Sequence, residues 1–210
     1  CGGNAVFASF YEVSPAGTQD LEGMIVTGTN NGSGYDITVG PGAGFTVPTG
    51  ATELVGLGDD DQADTSLFGG TLGLFVGSNG WLAAGAGNSN AFAPSTGVFL
   101  GNPSPAVYTW TDLEPNEAAS GKVWYDEPTP TTGRATYDGV FGWGTTDANF
   151  IQITYDTTSG DFTMEFGATG AGNPEDWLVG YTPGGGSADP GATDISAAAP
   201  FSIAAADMII

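Results

Sequence analysis

Glycine and proline break this chain into short segments, and this punctuation constrains its fold more than any other feature. The 210 residues include 36 Gly and 13 Pro, which disfavour long helices because they are the two poorest helix formers. The segments between them are rich in β-branched and aromatic residues, as strands are. The pattern predicts an all-β fold, an antiparallel β-sandwich or jelly-roll-like single domain over residues 1–210 with long Gly/Pro-rich loops.

The turn Ser78-Asn79-Gly80 is the sharpest hairpin signal in the chain. Asn and Gly adopt positive φ at low cost, which a tight turn between strands requires. A hairpin at this position would carry Phe75 and Trp81 into a common core. Ahead of it, residues 65–68 follow an acidic run and are predicted as a short strand.

A second hairpin is predicted around the turn from Asp156 to Gly160. Asp156 can accept hydrogen bonds from the turn amides, and Gly160 can take the left-handed conformation. Strand alternation predicts that three apolar side chains from each flanking strand meet across the ladder. These are Ile151, Ile153 and Tyr155 on one strand and Phe162, Met164 and Phe166 on the other.

The charge balance limits the classes of partner. Two basic residues, Lys122 and Arg134, stand against 24 acidic ones, and the net charge is −22. Such a chain repels nucleic-acid phosphates and anionic lipids, so neither is expected as a partner. No apolar run reaches the ~18 residues of a membrane helix, so no membrane span is predicted. The chain also has no His to activate a nucleophile, and no enzymatic activity is predicted.

Calcium is the predicted cofactor, because this much negative charge strains a compact fold unless cations offset it. In the acidic run that starts at Asp59, the side chains of Asp59, Asp61 and Asp64 would point one way and supply ligands. Asp60 would then point to solvent. The alternative is a solvated loop, or an Asp that caps a turn.

A second oxygen-rich cluster follows Trp110. Asp112 and Glu114 are its candidate metal ligands, with Asn116 and Glu117 close behind in the sequence. Because Pro115 makes this segment a turn, a type I turn with acidic rims is the alternative interpretation.

The five Trp residues are divided between core and surface. Large aromatic side chains most often fill the core of a sandwich, and this is predicted for Trp110, Trp124 and Trp143. Trp81 and Trp177 adjoin Gly-rich or polar turns. For these two, the core and a surface that binds a glycan or a partner protein both stay open.

The terminal segments, residues 1–14 and 192–210, are predicted to mediate assembly. Apolar residues near the C-terminus can pair with an open sheet edge, either of a neighbouring copy, which would propagate a filament, or of the same chain. Cys1 can be the acylated residue of a lipoprotein, half of an intermolecular disulfide, or a free thiol. The predicted assembly residues are Cys1, Phe201, Ile203, Met208, Ile209 and Ile210.

Several short motifs follow one another in a recognisable order. They are Leu57 to Asp61, Ser78 to Gly80, Trp110 to Leu113, Gly121 to Tyr125, Thr136 to Val140, Ile151 to Ile153 and Val179 to Tyr181. In this order the chain resembles the nidogen-type extracellular β-domain, as found in secreted surface proteins of planctomycete-type bacteria. The resemblance implies an extracellular matrix or cell-surface role without enzymatic activity. Such proteins commonly have more than one Cys, whereas Cys1 has no partner within this chain.

These observations together predict a secreted, non-enzymatic structural protein of a bacterial cell surface or extracellular matrix. It would bind calcium and assemble with itself into a filament or sheet through exchange of terminal strands. The alternative is a surface-tethered adhesion or carbohydrate-binding module. Exposed Trp81 and Trp177 in one groove would favour the alternative, and a terminal strand docked in a neighbour would favour assembly.

Overall fold

The computed structural model describes residues 9–87 and 91–204 of the chain. Within these ranges no helix is long and apolar enough to cross a membrane. The elements in chain order are β1 (Phe10–Ser14), β2 (Met24–Asn30), β3 (Gly34–Pro41), β4 (Thr52–Glu53), β5 (Gln62–Asp64), a 3-10 turn (Thr65–Phe68), β6 (Phe75–Gly77), β7 (Trp81–Ala83), α1 (Thr96–Leu100), β8 (Ala106–Trp110), β9 (Lys122–Thr129), β10 (Thr132–Phe141), β11 (Ala148–Asp156), β12 (Phe162–Phe166), β13 (Trp177–Thr182), α2 (Ile195–Ala198) and β14 (Phe201–Ala204).

The strands form two antiparallel sheets that enclose the main core. The first sheet has the order β1-β13-β8-β7-β6-β5, and the second has the order β14-β3-β2-β12-β11-β10-β9-β4. Apolar side chains from the facing sides of both sheets make one continuous cluster, which includes Leu82 and Val107 of the first sheet and Ile153 and Met164 of the second. The predicted antiparallel β-sandwich is confirmed.

The hairpin around residues 156–160 has the predicted register. Its cross-strand pairs are Ile151–Phe166, Ile153–Met164 and Tyr155–Phe162. Asp156 Oδ1 accepts hydrogen bonds from the amides of Thr158 (2.9 Å) and Ser159 (2.8 Å), and Gly160 has φ +81°. The turn residues Asp156 and Gly160 therefore set the register of this hairpin through local interactions.

A second apolar cluster covers the outer face of the first sheet. Trp81, Tyr108 and Trp110 point into it, and Phe99 of α1 closes it from above. Strands β7, β8 and β13 are consequently buried on both faces along their whole length. Phe75 packs against the same cluster as Trp81, so the common core predicted for this hairpin is confirmed.

The strand predicted at residues 65–68 is wrong. These residues form a 3-10 turn, because Asp64 Oδ1 accepts a hydrogen bond from the Ser66 amide at 2.9 Å. Gly69 ends the turn in the left-handed conformation, with φ +90°. A side chain that bonds to the backbone two residues ahead favours a turn over an extended ladder.

The structure places Trp81 and Trp177 in the core, which was one of the two open alternatives, and the core prediction for Trp143 is wrong. Trp81 is 0% exposed and Trp177 is 1% exposed, so neither lines a binding surface, since the strands that carry them are covered on both faces. Trp143, predicted as core, is 51% exposed because it lies in the turn beyond β10. Trp110 is buried as predicted, and Trp124 is half-buried.

The last described strand belongs to its own chain. In β14, Phe201 pairs with Ile37 and Ile203 with Tyr35, so the strand fills the edge beside β3. The Phe201 ring also packs edge-on against Phe10, with centroids 6.1 Å apart. Phe201 and Ile203 therefore pair within the chain, which was one of the two alternatives, and their exchange into a neighbouring copy stays a prediction. Cys1, Met208, Ile209 and Ile210 lie outside the described residues.

Candidate metal centre

Three segments that are distant in sequence meet at the side chain of Asn79. Asn79 lies in the turn between β6 and β7 and is 2% exposed. Its Nδ2 donates to Asp60 Oδ1 at 2.8 Å, and its Oδ1 accepts from the Leu113 amide at 2.8 Å. One buried amide therefore fixes the acidic loop (residues 58–61) against the segment that follows β8.

The neighbouring Ser78 holds the other side of the acidic loop. Its Oγ accepts a hydrogen bond from the Asp61 amide at 2.9 Å, and its amide donates to the Asp61 carbonyl at 2.9 Å. The Asp61 carboxylate accepts from the amides of Gly58 at 3.2 Å and Gln62 at 2.8 Å. The loop reverses at Asp60, which has φ +49°. The Ser-Asn-Gly turn thus acts as a clamp for the carboxylates.

Carboxylate oxygens of Asp59, Asp60 and Asp112 converge at this point. One oxygen from each lies within 4.8 Å of the others. Two ligands on opposite sides of a calcium ion are separated by about that distance, because calcium–oxygen bonds are ~2.4 Å long. The three oxygens, named here the three-aspartate centre, can therefore surround one ion.

Asp112 is the most constrained member of the three-aspartate centre. It is 3% exposed, and its Oδ1 has no hydrogen-bond partner. Burial and the charges of Asp59, Asp60, Glu175 and Glu114 together raise the pKa of Asp112 to about 7. A buried carboxylate oxygen without a donor is costly, and this atom has a lone pair with which it could bind a cation.

Asp59 also has a buried carboxylate oxygen without a hydrogen-bond donor and a raised pKa. Its Oδ1 is buried without a partner, and burial followed by the charges of Asp60 and Glu114 raises its pKa. The two basic side chains of the protein are engaged elsewhere. Lys122 Nζ donates to the Pro115 carbonyl at 3.2 Å, and Arg134 makes a bidentate pair with Asp126. With no other Lys, Arg or His in the chain, no basic side chain offsets the charge of the three-aspartate centre.

A cavity of about 260 Å³ opens beside the three-aspartate centre. Besides the three carboxylates, its walls are Glu175, Phe92 and Trp143. The Trp143 amide donates to the Asp112 carbonyl at 3.0 Å, which anchors this wall to the segment that carries Asp112. The centre is therefore accessible from one side, through a mouth with an aromatic rim.

The structure unites the two acidic clusters that the sequence placed apart. Asp59 and Asp112 lie together, but Asp61 and Asp64 do not join them, because their carboxylates cap backbone amides. Asp60, expected in solvent, belongs to the centre. Glu114 is not one of the three converging groups and acts through its charge.

Sequence reasoning missed the supporting residues of this site. Asn79 was interpreted only as a turn residue, although a buried amide in a tight turn is well suited to bond backbone from other segments. Trp143 lies between Gly142 and Gly144, and such a context is typical of a turn. This signal indicates an exposed side chain, in contrast to the predicted position in the core. The sequence carried no signal that would place Phe92 or Glu175 at this site.

Comparisons with protein-family models, curated proteins and solved structures return no match for this chain. The nidogen-type resemblance therefore stays a prediction.

Proposed function

We propose that this chain is a secreted or cell-surface structural module without enzymatic activity, whose three-aspartate centre binds calcium. The observation that carries the proposal is Asp112: its Oδ1 is buried without a hydrogen-bond partner, and its carboxylate converges with those of Asp59 and Asp60. Burial, and after it the repulsion from neighbouring carboxylates, raises the pKa of Asp112, and an ion bound there would offset both effects.

The ligand chemistry favours calcium over other common ions. Zinc and copper prefer His and Cys, and the chain has no His and a single Cys. Magnesium binds carboxylates but requires near-ideal octahedral geometry and keeps its waters, whereas calcium accepts irregular oxygen sites. Asp59 and Asp60 are consecutive, and such an arrangement is easier to accommodate in the more flexible coordination sphere.

A bound ion would fasten the edge of the sandwich. The acidic loop leads into β5, the outermost strand of the first sheet. The segment that carries Asp112 continues to the second sheet, where the Glu114 amide donates to the Phe141 carbonyl at 2.9 Å and Leu113 forms a bridge with Gly142. Calcium would therefore link a loop at the edge of one sheet to a segment tied to the other.

The extracellular location that we propose is supported by the net charge of the chain and by the calcium affinity that we expect. Extracellular calcium modules bind at ~0.1–1 mM, a range that suits a solvent-accessible site with few ligands. A net charge of −22 keeps such a protein soluble. Self-assembly through strand exchange stays a prediction, and it would require β14 to leave β3 and enter another copy.

Calorimetric titration of chelator-treated protein tests the proposal directly. We expect about one calcium ion per chain with a dissociation constant of ~0.1–1 mM, and at least ~10-fold weaker binding of magnesium. Asp59→Asn should lower calcium affinity at least ~10-fold, since one charged ligand is lost. The absence of any calcium signal at 10 mM CaCl2 would contradict the proposal (a concentration of at least ~10 times the expected constant).

A further inference from the structure

The cavity beside the three-aspartate centre has an aromatic rim that metal binding does not require. Phe92 is 52% exposed and Trp143 is 51% exposed. In the described parts of the chain, 9–87 and 91–204, no other aromatic side chain is exposed, and both of these line the same cavity. Exposed aromatic side chains gathered at one concave site indicate a ligand.

The rim is held in place by the same contacts that hold the carboxylates. The backbone amide of Trp143 donates to the Asp112 carbonyl at 3.0 Å. Asn79 Nδ2, which holds Asp60, also lies 3.3 Å from the carbonyl of Ala91, the residue before Phe92. The backbone at Trp143 and beside Phe92 is therefore anchored to the segments that carry the carboxylates.

We propose that this site binds a neutral sugar through the calcium ion. Two hydroxyl groups of the sugar would complete the coordination of the ion, and the sugar ring would stack on Trp143, with Phe92 as a second aromatic wall of the cavity. This inference rests on the calcium binding proposed above and adds the class of ligand.

Coordination chemistry leaves room for the hydroxyl groups. Three carboxylates supply about three to six of the roughly six to eight oxygens that calcium takes, and water or a ligand supplies the remainder. On the side of the ion that faces the cavity, two adjacent hydroxyl groups of a sugar can replace two coordinating waters at little cost, since each exchange replaces one oxygen ligand with another. Aromatic faces then contact the C–H faces of the sugar, which are the apolar part of an otherwise polar ligand.

Size and charge narrow the class of sugar. The cavity, about 260 Å³, is too small for a folded partner and suits a single ring at the end or side of a glycan. The net charge of −22 and the nearby Glu175 repel acidic sugars. Neutral hexoses with adjacent hydroxyls are therefore the preferred ligands.

The test is retention of the full chain on immobilised neutral polysaccharides, with mannan, galactan and β-glucan as probes, in 10 mM CaCl2 and in chelator. We expect retention on at least one of them in calcium and none in chelator. Trp143→Ala should lower sugar affinity ~10-fold, through loss of the stacking face. Leu67→Ala is the matched control, because Leu67 is also exposed, at 79%, but does not line the cavity; it should bind like the unmodified chain.

The possible outcomes separate calcium binding from sugar binding. Calcium binding without retention on any of the three polysaccharides overturns the sugar inference and leaves the proposed function standing. Absence of calcium binding overturns both. Equal retention in calcium and chelator overturns the metal-dependent mechanism. Saturable binding of tetramethylammonium in chelator, lost in Trp143→Ala, overturns the inference in favour of an organic cation held by the rim and the carboxylates.

Discussion

Asp112→Asn should have opposite effects on stability with and without calcium. The change removes one charge from the centre but keeps the size and shape of the side chain. Without calcium, the charge of Asp112 is unfavourable, because burial and four neighbouring carboxylates raise its pKa from an ordinary 3.8 to about 7. With calcium bound as proposed, the same carboxylate would be a ligand of the ion. A structural role unrelated to metal would not change sign between the two conditions.

The magnitude can be worked from these values. At 1.36 kcal/mol per pH unit, the raised pKa corresponds to ~4 kcal/mol of destabilisation at pH 7.5, and we expect about half of that because water reaches the mouth of the cavity. In chelator, Asp112→Asn should therefore stabilise the protein by ~2 kcal/mol, or ~4–8 °C in melting temperature for a domain of this size.

Calcium should stabilise the unmodified protein more than Asp112→Asn. At a concentration ~100 times the dissociation constant, a ligand of the native state adds ~2.7 kcal/mol, which is ~5–10 °C here. For a constant of ~0.1 mM this condition is reached at 10 mM CaCl2. The unmodified protein should gain this increment, and Asp112→Asn should gain little or none.

Differential scanning calorimetry of both proteins at pH 7.5, in chelator and in 10 mM CaCl2, is the assay. The control is Asp64→Asn, which makes the same change of charge in the acidic run but outside the three-aspartate centre. Because Asn caps a turn about as well as Asp, this variant should behave like the unmodified protein in both conditions. An equal calcium shift in Asp112→Asn and the unmodified protein, or a variant that melts lower in chelator, would refute the reasoning.

Three further predictions concern the core, the pH dependence and assembly. Tyr137→Phe should cost ~2 kcal/mol in urea unfolding, because the buried hydroxyl donates to the Gly77 carbonyl (2.6 Å) and accepts from the Trp81 amide (3.1 Å); an unchanged midpoint would contradict this. In chelator, the folded protein holds a proton on Asp112 that the unfolded chain releases between pH 3.8 and about 7, so the unfolding free energy should fall as the pH rises through this window. Calcium should reverse this trend, and a pH-independent stability in chelator would count against it. Electron microscopy with and without chelator should show filaments or sheets if terminal strands exchange, and single particles in both conditions would rule assembly out.

Local chemistry explains the parts of the fold that could be predicted. The hairpin at Asp156 needs only an Asp that accepts turn amides, a Gly with positive φ, and alternating apolar residues on both sides. These interactions join residues that are close in the sequence, so they can be predicted from it. The same reasoning predicted the hairpin at Asn79 and the all-β class.

The prediction at residues 65–68 was wrong for an equally local reason. A short β-branched and aromatic segment favours a strand, but Asp64 caps it and turns it into a 3-10 turn. The capping residue competes with the ladder, and which of the two interactions wins depends on whether a partner strand is within reach.

The sequence by itself determined the class of fold, the turns, and a charge that its own basic residues cannot balance. Only the tertiary structure decided that Asp59 and Asp112 face each other, that Asp61 caps the loop, and that Trp81 is buried while Trp143 is exposed. The physical reason is the range of the interactions involved. Turn and strand preferences act over a few residues, whereas the centre and the burial of each Trp depend on strand order and on the excursion with α1 that covers the first sheet.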